Sequence, residues 1–319
     1  MKYSITIPAY KAKFLSECLE SVLSQTYDDY EVIILNDCSP EDIKGIVEGV
    51  SSHKNGNKIR YYENEINVGA VDVVDNWNKL LELVKGDYVI CMGDDDKLHP
   101  DCLRQYARMI EKYPNCDVFH VRTEIIDENS SKIALQSERK EVESAYEMLW
   151  HGICGKRVQF IGDFLYKSMT LKRKGGFYYM PLAYTSDWIT CMMIGKENGI
   201  VDLNDVLFYY RSSSQTITST GNRRLMIDAW WKYKDWILDF LKDIPSNEAD
   251  RWFRSEVLNS IEFARKNSIL NDIALDIKAA PLTNTVYWCK RRREYGLSIT
   301  DIMCRLALGM YRTLKRGFL

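Results

Sequence analysis

The sequence predicts an α/β protein with a mostly parallel sheet, followed by a helical extension. In the first hundred residues, short β-rich runs alternate with segments whose apolar residues recur at helical spacing. Strands that alternate with helices form βαβ units, and such units build parallel sheets. After about residue 221 turn residues thin out and helical periodicity dominates. We therefore expect a domain at 1–220, with halves at about 1–100 and 101–220, and a helical extension at 221–319.

The elements of the first half follow one another in a regular order. Ligands of parallel sheets bind beyond the carboxyl ends of the strands, so the residue after each strand is a candidate for a binding site. The expected elements are a strand at 4–10 stopped by proline, a helix at 14–25, a strand at 30–35, a helix at about 40–52, a strand at 59–63, a helix at about 71–84 and a strand at 88–92.

Three adjacent carboxylates, Asp94, Asp95 and Asp96, follow the last of these strands and are called the acidic triplet below. Side by side they repel one another, and a divalent cation relieves that repulsion because Mg²⁺ and Mn²⁺ prefer oxygen ligands. Mg²⁺ commonly takes one or two protein carboxylates and completes its shell with water and substrate phosphates. The acidic triplet therefore predicts a metal–diphosphate site, with a solvated acidic turn as the alternative.

The other strand ends also carry polar or conformationally special residues. The segment Pro8–Tyr10 ends the first strand, Asp37 follows the second, and Asn67 and Gly69 follow the third. Packing alone gives little reason for such residues at four strand ends. The sequence therefore predicts that one ligand site extends along this edge of the sheet.

In their order and spacing these motifs resemble those of family 2 glycosyltransferases, inverting enzymes of the GT-A fold that use nucleotide sugars. The resemblance covers about residues 3–215. It implies a GT-A catalytic domain, a nucleotide-sugar donor, and Mn²⁺ or Mg²⁺ as cofactor. The segments that carry it are 4–10, 32–39, 67–69, 85–88 and 94–100, with Asn76 at matching spacing.

The resemblance implies a nucleotide-binding role for the residues at the strand ends. Asp37 would accept a hydrogen bond from the N–H of a uracil ring, and an aspartate that caps the next helix is the alternative. Asn67 and Gly69 would let the chain pass close to the ligand, and an ordinary tight turn is the alternative. The other implied members of the nucleotide site are Pro8, Ala9, Tyr10, Asn76, Asp94, Asp95 and Arg211.

Within the acidic triplet, the resemblance implies that Asp96 is the leading metal ligand and that Asp94 lies near the ribose, with Asp95 able to replace either. Gly93 stands where the family often has an acidic residue, which leaves the register of the ligands open by one position. The family often has a histidine ligand after a Tyr-Arg pair, and residues 209–216 contain no histidine. Metal affinity would then be lower, with water as the replacing ligand.

Arg211 completes that Tyr-Arg pair. Its planar guanidinium suits a phosphate oxygen. A surface ion pair is the alternative.

A second catalytic element is expected downstream. The segments 175–177 and 184–189 resemble the glycine–phenylalanine and acidic–tryptophan segments of the same family. Asp187 would be the general base that takes the proton of an acceptor hydroxyl, and direct attack by that hydroxyl would invert the anomeric centre. Such a base contributes ~10²–10⁴-fold to the rate. The alternative is a helix N-cap at Ser186 or Asp187.

Composition excludes several classes of protein. The net charge of −2 predicts no attraction to nucleic acid. The nine cysteines include no CxxC pair, so neither a zinc site nor a disulfide framework is expected and a reducing cytoplasm fits. The sequence has no signal-peptide core and no apolar run of the ~18 residues that a membrane span needs.

The last thirty residues are basic and amphipathic. Residues 290–319 hold eight Lys/Arg and two Asp/Glu, a net +6, although the whole chain carries −2. Apolar residues from Ile299 to Leu314 recur at helical spacing. This pattern is typical of a helix on an anionic membrane, and core or oligomer packing is the alternative. We expect a cytoplasmic protein with peripheral contact at the inner face of the membrane; whether it forms a homo-oligomer stays open.

Taken together, the sequence predicts a metal-dependent inverting glycosyltransferase that moves a sugar from a UDP-sugar to a hydroxyl of a glycan or lipid-linked oligosaccharide in surface polysaccharide biosynthesis. One alternative is transfer to a polyprenyl phosphate, an acceptor that needs no base. Another is nucleotidyl transfer, which normally uses a glycine-rich loop that Pro8–Lys11 does not supply. The third is a non-catalytic sugar-nucleotide-binding or scaffold module. The donor sugar cannot be read from the sequence.

Overall fold

The protein divides into two compact units, 1–219 and 220–319. The structure, a computed structural model, describes residues 1–213 and 222–316, and at 70, 71 and 308–316 the backbone alone.

The first half of unit 1 is a parallel sheet with helical connections. Its strand order is β3-β2-β1-β4, and all three pairings are parallel. The residues of β1, β2 and β4 are almost all buried, as expected for a sheet covered on both faces. The elements are β1 (Tyr3–Ala9), α1 (Leu15–Leu23), β2 (Tyr30–Asn36), α2 (Ile43–Gly49), β3 (Ile59–Glu63), α3 (Gly69–Leu83) and β4 (Tyr88–Cys91). Each expected element of this half is confirmed, with ends shifted by a few residues.

The second half of unit 1 continues the same sheet but with mixed directions. Strand β9 lies between β4 and β6 and is antiparallel to both, whereas β6 and β10 are parallel. Strand β5 is antiparallel to β10 at the far edge of the sheet. The elements are β5 (Lys97–Leu98), α4 (Cys102–Lys112), β6 (Val118–Ile126), β7 (Lys132–Leu135), β8 (Val142–Glu143), α5 (Ala145–Ile153), β9 (Phe164–Lys167), α6 (Ser168–Arg173), α7 (Ser186–Gly195) and β10 (Ile200–Arg211).

Unit 2 is helical, as the periodicity of the sequence predicts. It contains α8 (Arg223–Phe240), α9 (Glu248–Ala279), α10 (Pro281–Arg291) and α11 (Ile299–Arg316). Trp288 is wholly buried in this unit, and its indole N–H donates to Asp276 Oδ2 at 2.7 Å.

The basic amphipathic tail falls on α10 and α11. Of its apolar residues, Ile302 is buried, whereas Ile299 and Met303 are about half exposed. Met310, Tyr311 and Leu314 belong to the same expected stripe, but their side chains lie outside the described residues. Among the residues that the structure describes, we find no helix with the length and apolarity needed to cross a bilayer.

Candidate active site

The carboxyl ends of β1, β2 and β4 are tied together by hydrogen bonds. The backbone N–H of Asp37 donates to Ala9 O at 2.9 Å. Asp94 Oδ2 accepts from the backbone N–H groups of Tyr10 and Lys11 at 2.7 and 2.8 Å. The segment Pro8–Tyr10, Asp37 and Asp94 therefore meet at one edge of the sheet, as expected for ends of neighbouring parallel strands.

Asp37 is buried, with 3% of its surface exposed, and its carboxylate organises the segment before α3. Its Oδ1 accepts from Val68 N at 2.9 Å, and its Oδ2 accepts from Gly69 N at 2.7 Å. A Cβ at Gly69 would lie 2.8 Å from that Oδ2, too close for any other residue without a shift. The next helix, α2, is instead capped by Asp42, which accepts from Gly45 N at 2.8 Å. Asp37 thus holds the start of α3 rather than capping α2.

Three asparagines surround this carboxylate. Asn67 Nδ2 donates to the backbone O of Asp37 at 3.1 Å. Asn64 Nδ2 donates both to Asp37 Oδ1, at 2.8 Å, and to Asn76 Oδ1, at 2.9 Å. Asn76 is almost completely buried and reaches Asp37 only through Asn64, and its expected nucleotide contact stays a prediction. Sequence reasoning missed the role of Asn64, although it follows β3 directly, just as Asp37 follows β2.

The acidic triplet divides into two buried carboxylates and one partly exposed carboxylate. Asp94 and Asp96 are buried, whereas Asp95 is partly exposed. Asp96 Oδ1 accepts from Arg211 N at 2.9 Å, and its Oδ2 accepts from Gly93 N at 3.3 Å. Burial, reinforced by the charge of Asp95, raises the pKa of Asp94 to about 6 and that of Asp96 well above its usual value. Burial also raises the pKa of Asp95.

Two carboxylate oxygens of the acidic triplet lie beside Gly93. A Cβ at Gly93 would lie 2.9 Å from Asp95 Oδ1 and 3.0 Å from Asp96 Oδ2, so the two oxygens converge on one small space that the glycine leaves open. Within residues 1–213 and 222–316, no group of three or more His, Cys, Asp or Glu side chains forms a ready metal site. Two carboxylate ligands, with water and diphosphate as the others, is the arrangement that Mg²⁺ commonly adopts.

Arg211 does not face a ligand in this structure. Its side chain is wholly buried, and its guanidinium donates to protein oxygens, including Asp95 O at 2.9 Å and Glu17 Oε2 at 3.0 Å. Arg211 thus pairs with Glu17 from a buried position, and its expected contact with a phosphate stays a prediction.

Asp187 lies in the first turn of α7. The helix begins at Ser186, and its N-cap residue is Thr185 with φ 66°, so neither Ser186 nor Asp187 occupies the N-cap position. Burial and the negative charge of Asp163 together raise the pKa of Asp187 to about 7, against the Trp188 N–H, which favours the ionised form. A carboxylate with a pKa near neutrality is suited to act as a general base at physiological pH.

The turn at residues 159–163 links Asp187 to the acidic triplet. A Cβ at Gly162 would lie 3.0 Å from Met92 Cβ, two residues before the acidic triplet. Gln159 and Asp163 lie in the same turn, and the negative charge of Asp163 raises the pKa of Asp187. No sequence pattern marked either residue, because their importance comes from where β9 inserts into the sheet.

The glycine–phenylalanine segment joins α3 to α7. Gly176 has φ +88°, and a Cβ there would lie 2.3 Å from Asn78 Oδ1, so this position requires glycine. Asn78 brackets Phe177: its Oδ1 accepts from Phe177 N at 2.8 Å, and its Nδ2 donates to Phe177 O at 3.0 Å. Tyr178 N then donates to Thr190 Oγ1 on α7 at 2.9 Å. Helix α3, which starts beside Asp37, thereby anchors α7, the helix that carries Asp187.

Comparison with known proteins agrees with this arrangement. The model of glycosyl transferase family 2 matches residues 4–176. An uncharacterized glycosyltransferase of Haemophilus influenzae is 30% identical over 231 residues, which cover 70% of this chain and 74% of that protein. The amylovoran biosynthesis glycosyltransferase AmsB of Erwinia amylovora is 32% identical over 114 residues, 35% of this chain and 36% of that protein.

Two solved structures share the fold. S. aureus TarS in complex with UDP-GlcNAc has a TM-score of 0.68 at 19% identity, covering 98% of this chain and 92% of that chain. The mannosyltransferase PcManGT from Pyrobaculum calidifontis, in complex with GDP-Man and Mn²⁺, has a TM-score of 0.58 at 14% identity, covering 98% and 87%. At such identities these structures support the fold alone.

The sheet, its polar edge and these neighbours define a glycosyltransferase of the GT-A fold, which confirms the expected fold class. The chain belongs to glycosyl transferase family 2, whose model covers more than half of its length. The resemblance that the sequence motifs showed is therefore confirmed.

Proposed function

We propose that this transferase is metal-dependent and inverting, and that it moves a sugar from a UDP-sugar to a hydroxyl of a glycan or lipid-linked oligosaccharide. The observation that carries the proposal is the pairing, within one unit, of two convergent carboxylates with a separate carboxylate suited to general-base chemistry. Gly162 in the 159–163 turn lies beside Met92, two residues before the acidic triplet, and Asp163 in the same turn raises the pKa of Asp187. A binding or scaffold module would have no use for that base.

The uridine assignment rests on Asp37. A carboxylate can only accept hydrogen bonds when ionised, and the uracil ring offers an N–H donor. Of its two oxygens, Oδ1 already accepts from Asn64 and Val68, whereas Oδ2 accepts from Gly69. A carboxylate oxygen can accept two hydrogen bonds. We therefore propose that Oδ2 of Asp37 accepts a hydrogen bond from the N–H of the uracil ring.

Asp95 and Asp96 would hold Mn²⁺ or Mg²⁺. A bound divalent ion would act as a Lewis acid that neutralises the charge developing on the departing nucleoside diphosphate. Asp95 is the more accessible of the two, whereas Asp96 is buried and held by two backbone N–H groups. Asp94, tied to Tyr10 and Lys11, keeps the end of β4 against β1 and so fixes where the donor can lie.

Asp187 would take the proton of the acceptor hydroxyl as that oxygen attacks the anomeric carbon. Attack on the face opposite the leaving diphosphate inverts the configuration, and one base is enough because leaving-group protonation is not required. The raised pKa of Asp187 makes it a stronger base than an exposed aspartate while leaving it largely ionised above pH 7.

The proposal for the acceptor rests on the relatives of this chain and on the positive charge of residues 290–319. AmsB, one relative, is by its name an enzyme of amylovoran biosynthesis. We propose an acceptor of the surface polysaccharide type, with contact between the basic segment 290–319 and an anionic membrane. Co-sedimentation with phosphatidylglycerol vesicles that is lost at high salt tests this contact, and equal binding to neutral vesicles would contradict it.

A screen of nucleotide-sugar hydrolysis with and without Mn²⁺ tests the proposed function. UDP-, GDP- and dTDP-sugars are compared by release of nucleoside diphosphate, because water can replace an unknown acceptor. We expect slow release from one UDP-sugar, dependent on Mn²⁺ and lost in Asp96→Ala. No release together with no UDP binding in Mn²⁺ would contradict the uridine assignment.

Replacement of Asp37 by asparagine is expected to weaken UDP binding by roughly 10- to 100-fold, because a hydrogen bond to a charged group contributes about 1.5–3 kcal/mol. Isothermal titration with UDP and Mn²⁺ measures the change. Asp42→Asn is the matched control, since Asp42 also accepts a backbone N–H at a helix start, where it caps α2. Equal UDP affinity in Asp37→Asn and the control would contradict the base contact.

A further inference from the structure

Arg211 is a buried cation whose partners come from three separate parts of unit 1. It is the last residue of β10, and its side chain is wholly buried. Its Nε donates to Asp95 O at 2.9 Å, and its Nη2 donates to Glu17 Oε2 on α1 at 3.0 Å. Its guanidinium also lies 4.2 Å from the centre of the Phe14 ring. This number of contacts from one side chain exceeds what packing at a strand end requires.

The remaining guanidinium nitrogen holds the turn that follows β6. Arg211 Nη1 donates to Asp127 O at 3.1 Å and to Ser130 Oγ at 3.1 Å. The backbone N–H of Arg211 meanwhile donates to Asp96 Oδ1 at 2.9 Å. One residue therefore contacts both Asp95 and Asp96 and fixes them against α1 and the 127–130 turn.

We propose that Arg211 is a positioning residue that holds the backbone of the acidic triplet so that the carboxylates of Asp95 and Asp96 converge on one cation. The inference rests on the proposed metal dependence. Three adjacent carboxylates repel one another, and without a fixed backbone they would turn apart towards solvent. The planar guanidinium can bond to Asp95 O and to the turn at the same time, because its donors point in different directions within one plane.

A lysine cannot replace this arrangement. Its ammonium is a single point charge on a flexible stem, so it can reach one or two of the oxygens but cannot span Asp95 O, Glu17 and the turn together. Arg211→Lys keeps the charge and the backbone bond to Asp96 but loses the fork. The variant therefore tests whether Mn²⁺ binding depends on the fixed position of the acidic triplet or only on the positive charge beside it.

The test is Mn²⁺ affinity of the full chain in the presence of UDP, which supplies the diphosphate ligands, measured by electron paramagnetic resonance of the free ion against a blank of UDP alone. We expect Arg211→Lys to bind Mn²⁺ at least tenfold more weakly than the wild-type protein, with an unchanged circular dichroism spectrum. Lys13→Ala is the control, since Lys13 pairs with Glu128 of the same turn but is exposed. Its Mn²⁺ affinity should be that of the wild type.

A second variant covers the case in which Arg211→Lys does not fold. Glu17→Gln removes the charge partner of Arg211 Nη2 at a half-exposed position and is expected to weaken Mn²⁺ binding two- to fivefold. Wild-type affinity in the folded Arg211→Lys protein, or in Glu17→Gln when only that variant folds, would overturn the positioning role. Absence of Mn²⁺ binding in the wild-type protein would instead overturn the metal dependence, and this inference with it.

Discussion

Replacement of Asp187 by asparagine is expected to lower kcat by roughly 10²–10⁴-fold, the usual contribution of a general base, with little change in KM for the donor. The amide has the shape of the carboxylate but cannot take the proton of the acceptor hydroxyl. Steady-state kinetics with donor and acceptor measure the effect. Asp205→Asn, at an exposed aspartate on β10, is the control and should keep full activity.

The pH dependence of the wild-type enzyme gives a second measure of the same base. Because the pKa of Asp187 is about 7, kcat should rise roughly tenfold per pH unit up to that value and then level off. This rise should disappear in Asp187→Asn. A polyprenyl-phosphate transferase would keep its activity in this variant, because its acceptor is already ionised. Full activity of Asp187→Asn would therefore favour that alternative.

Stability should change in the opposite direction to activity. The folded pKa of Asp187 lies above the ordinary value of 3.8, so the stabilisation by the protonated carboxyl is complete only below pH 3.8 and is lost progressively as pH rises to about 7. At pH 8 Asp187→Asn should therefore melt roughly 2–4 °C higher than the wild-type protein, and below pH 3.8 the two should melt together. A lower melting temperature at pH 8 would show that the ionised carboxylate stabilises the fold instead.

Replacement of Asp95 by asparagine is expected to abolish the Mn²⁺-dependent part of UDP binding, a loss of at least tenfold in affinity, and to lower activity at least 100-fold. Asp95 is the most accessible carboxylate of the acidic triplet, and the proposed role of the metal in leaving-group departure is worth several kcal/mol. Titration with UDP in Mn²⁺ and in chelator separates the metal-dependent part of binding.

The control for Asp95 is at the other end of the same strand. Asp87 is exposed just before β4, where its Oδ2 accepts from Lys2 N at 2.8 Å, far from the strand's carboxyl end. Asp87→Asn should bind UDP as the wild type does. If Asp95→Asn retains Mn²⁺-dependent UDP binding while Asp96→Asn loses it, Asp96 alone is the metal ligand. That result would agree with the sequence analysis, which made Asp96 the leading ligand.

The local pattern of the chain determined the parallel half of the sheet and the edge at which the polar residues gather. Continuous apolar runs can form only buried strands when helices flank them, so β1, β2 and β4 and their polar ends were readable in advance. Asp37 and Asp94 were found for this reason, whereas Asp187 was found from the resemblance of segment 184–189 to the family. Helical periodicity likewise determined that the chain after about residue 221 is helical.

Tertiary structure alone decided what depends on contacts between distant segments. Asn64 and Asn78 act through partners 27 and 99 residues away, and Asp163 acts on Asp187 only because β9 inserts between β4 and β6. The Tyr-Arg motif predicted that Arg211 binds a phosphate, whereas the fold buries its side chain against Asp95 and Glu17. A side chain's type limits the bonds that it can make, but whether its partner is a ligand or another part of the chain depends on which segments the fold brings together.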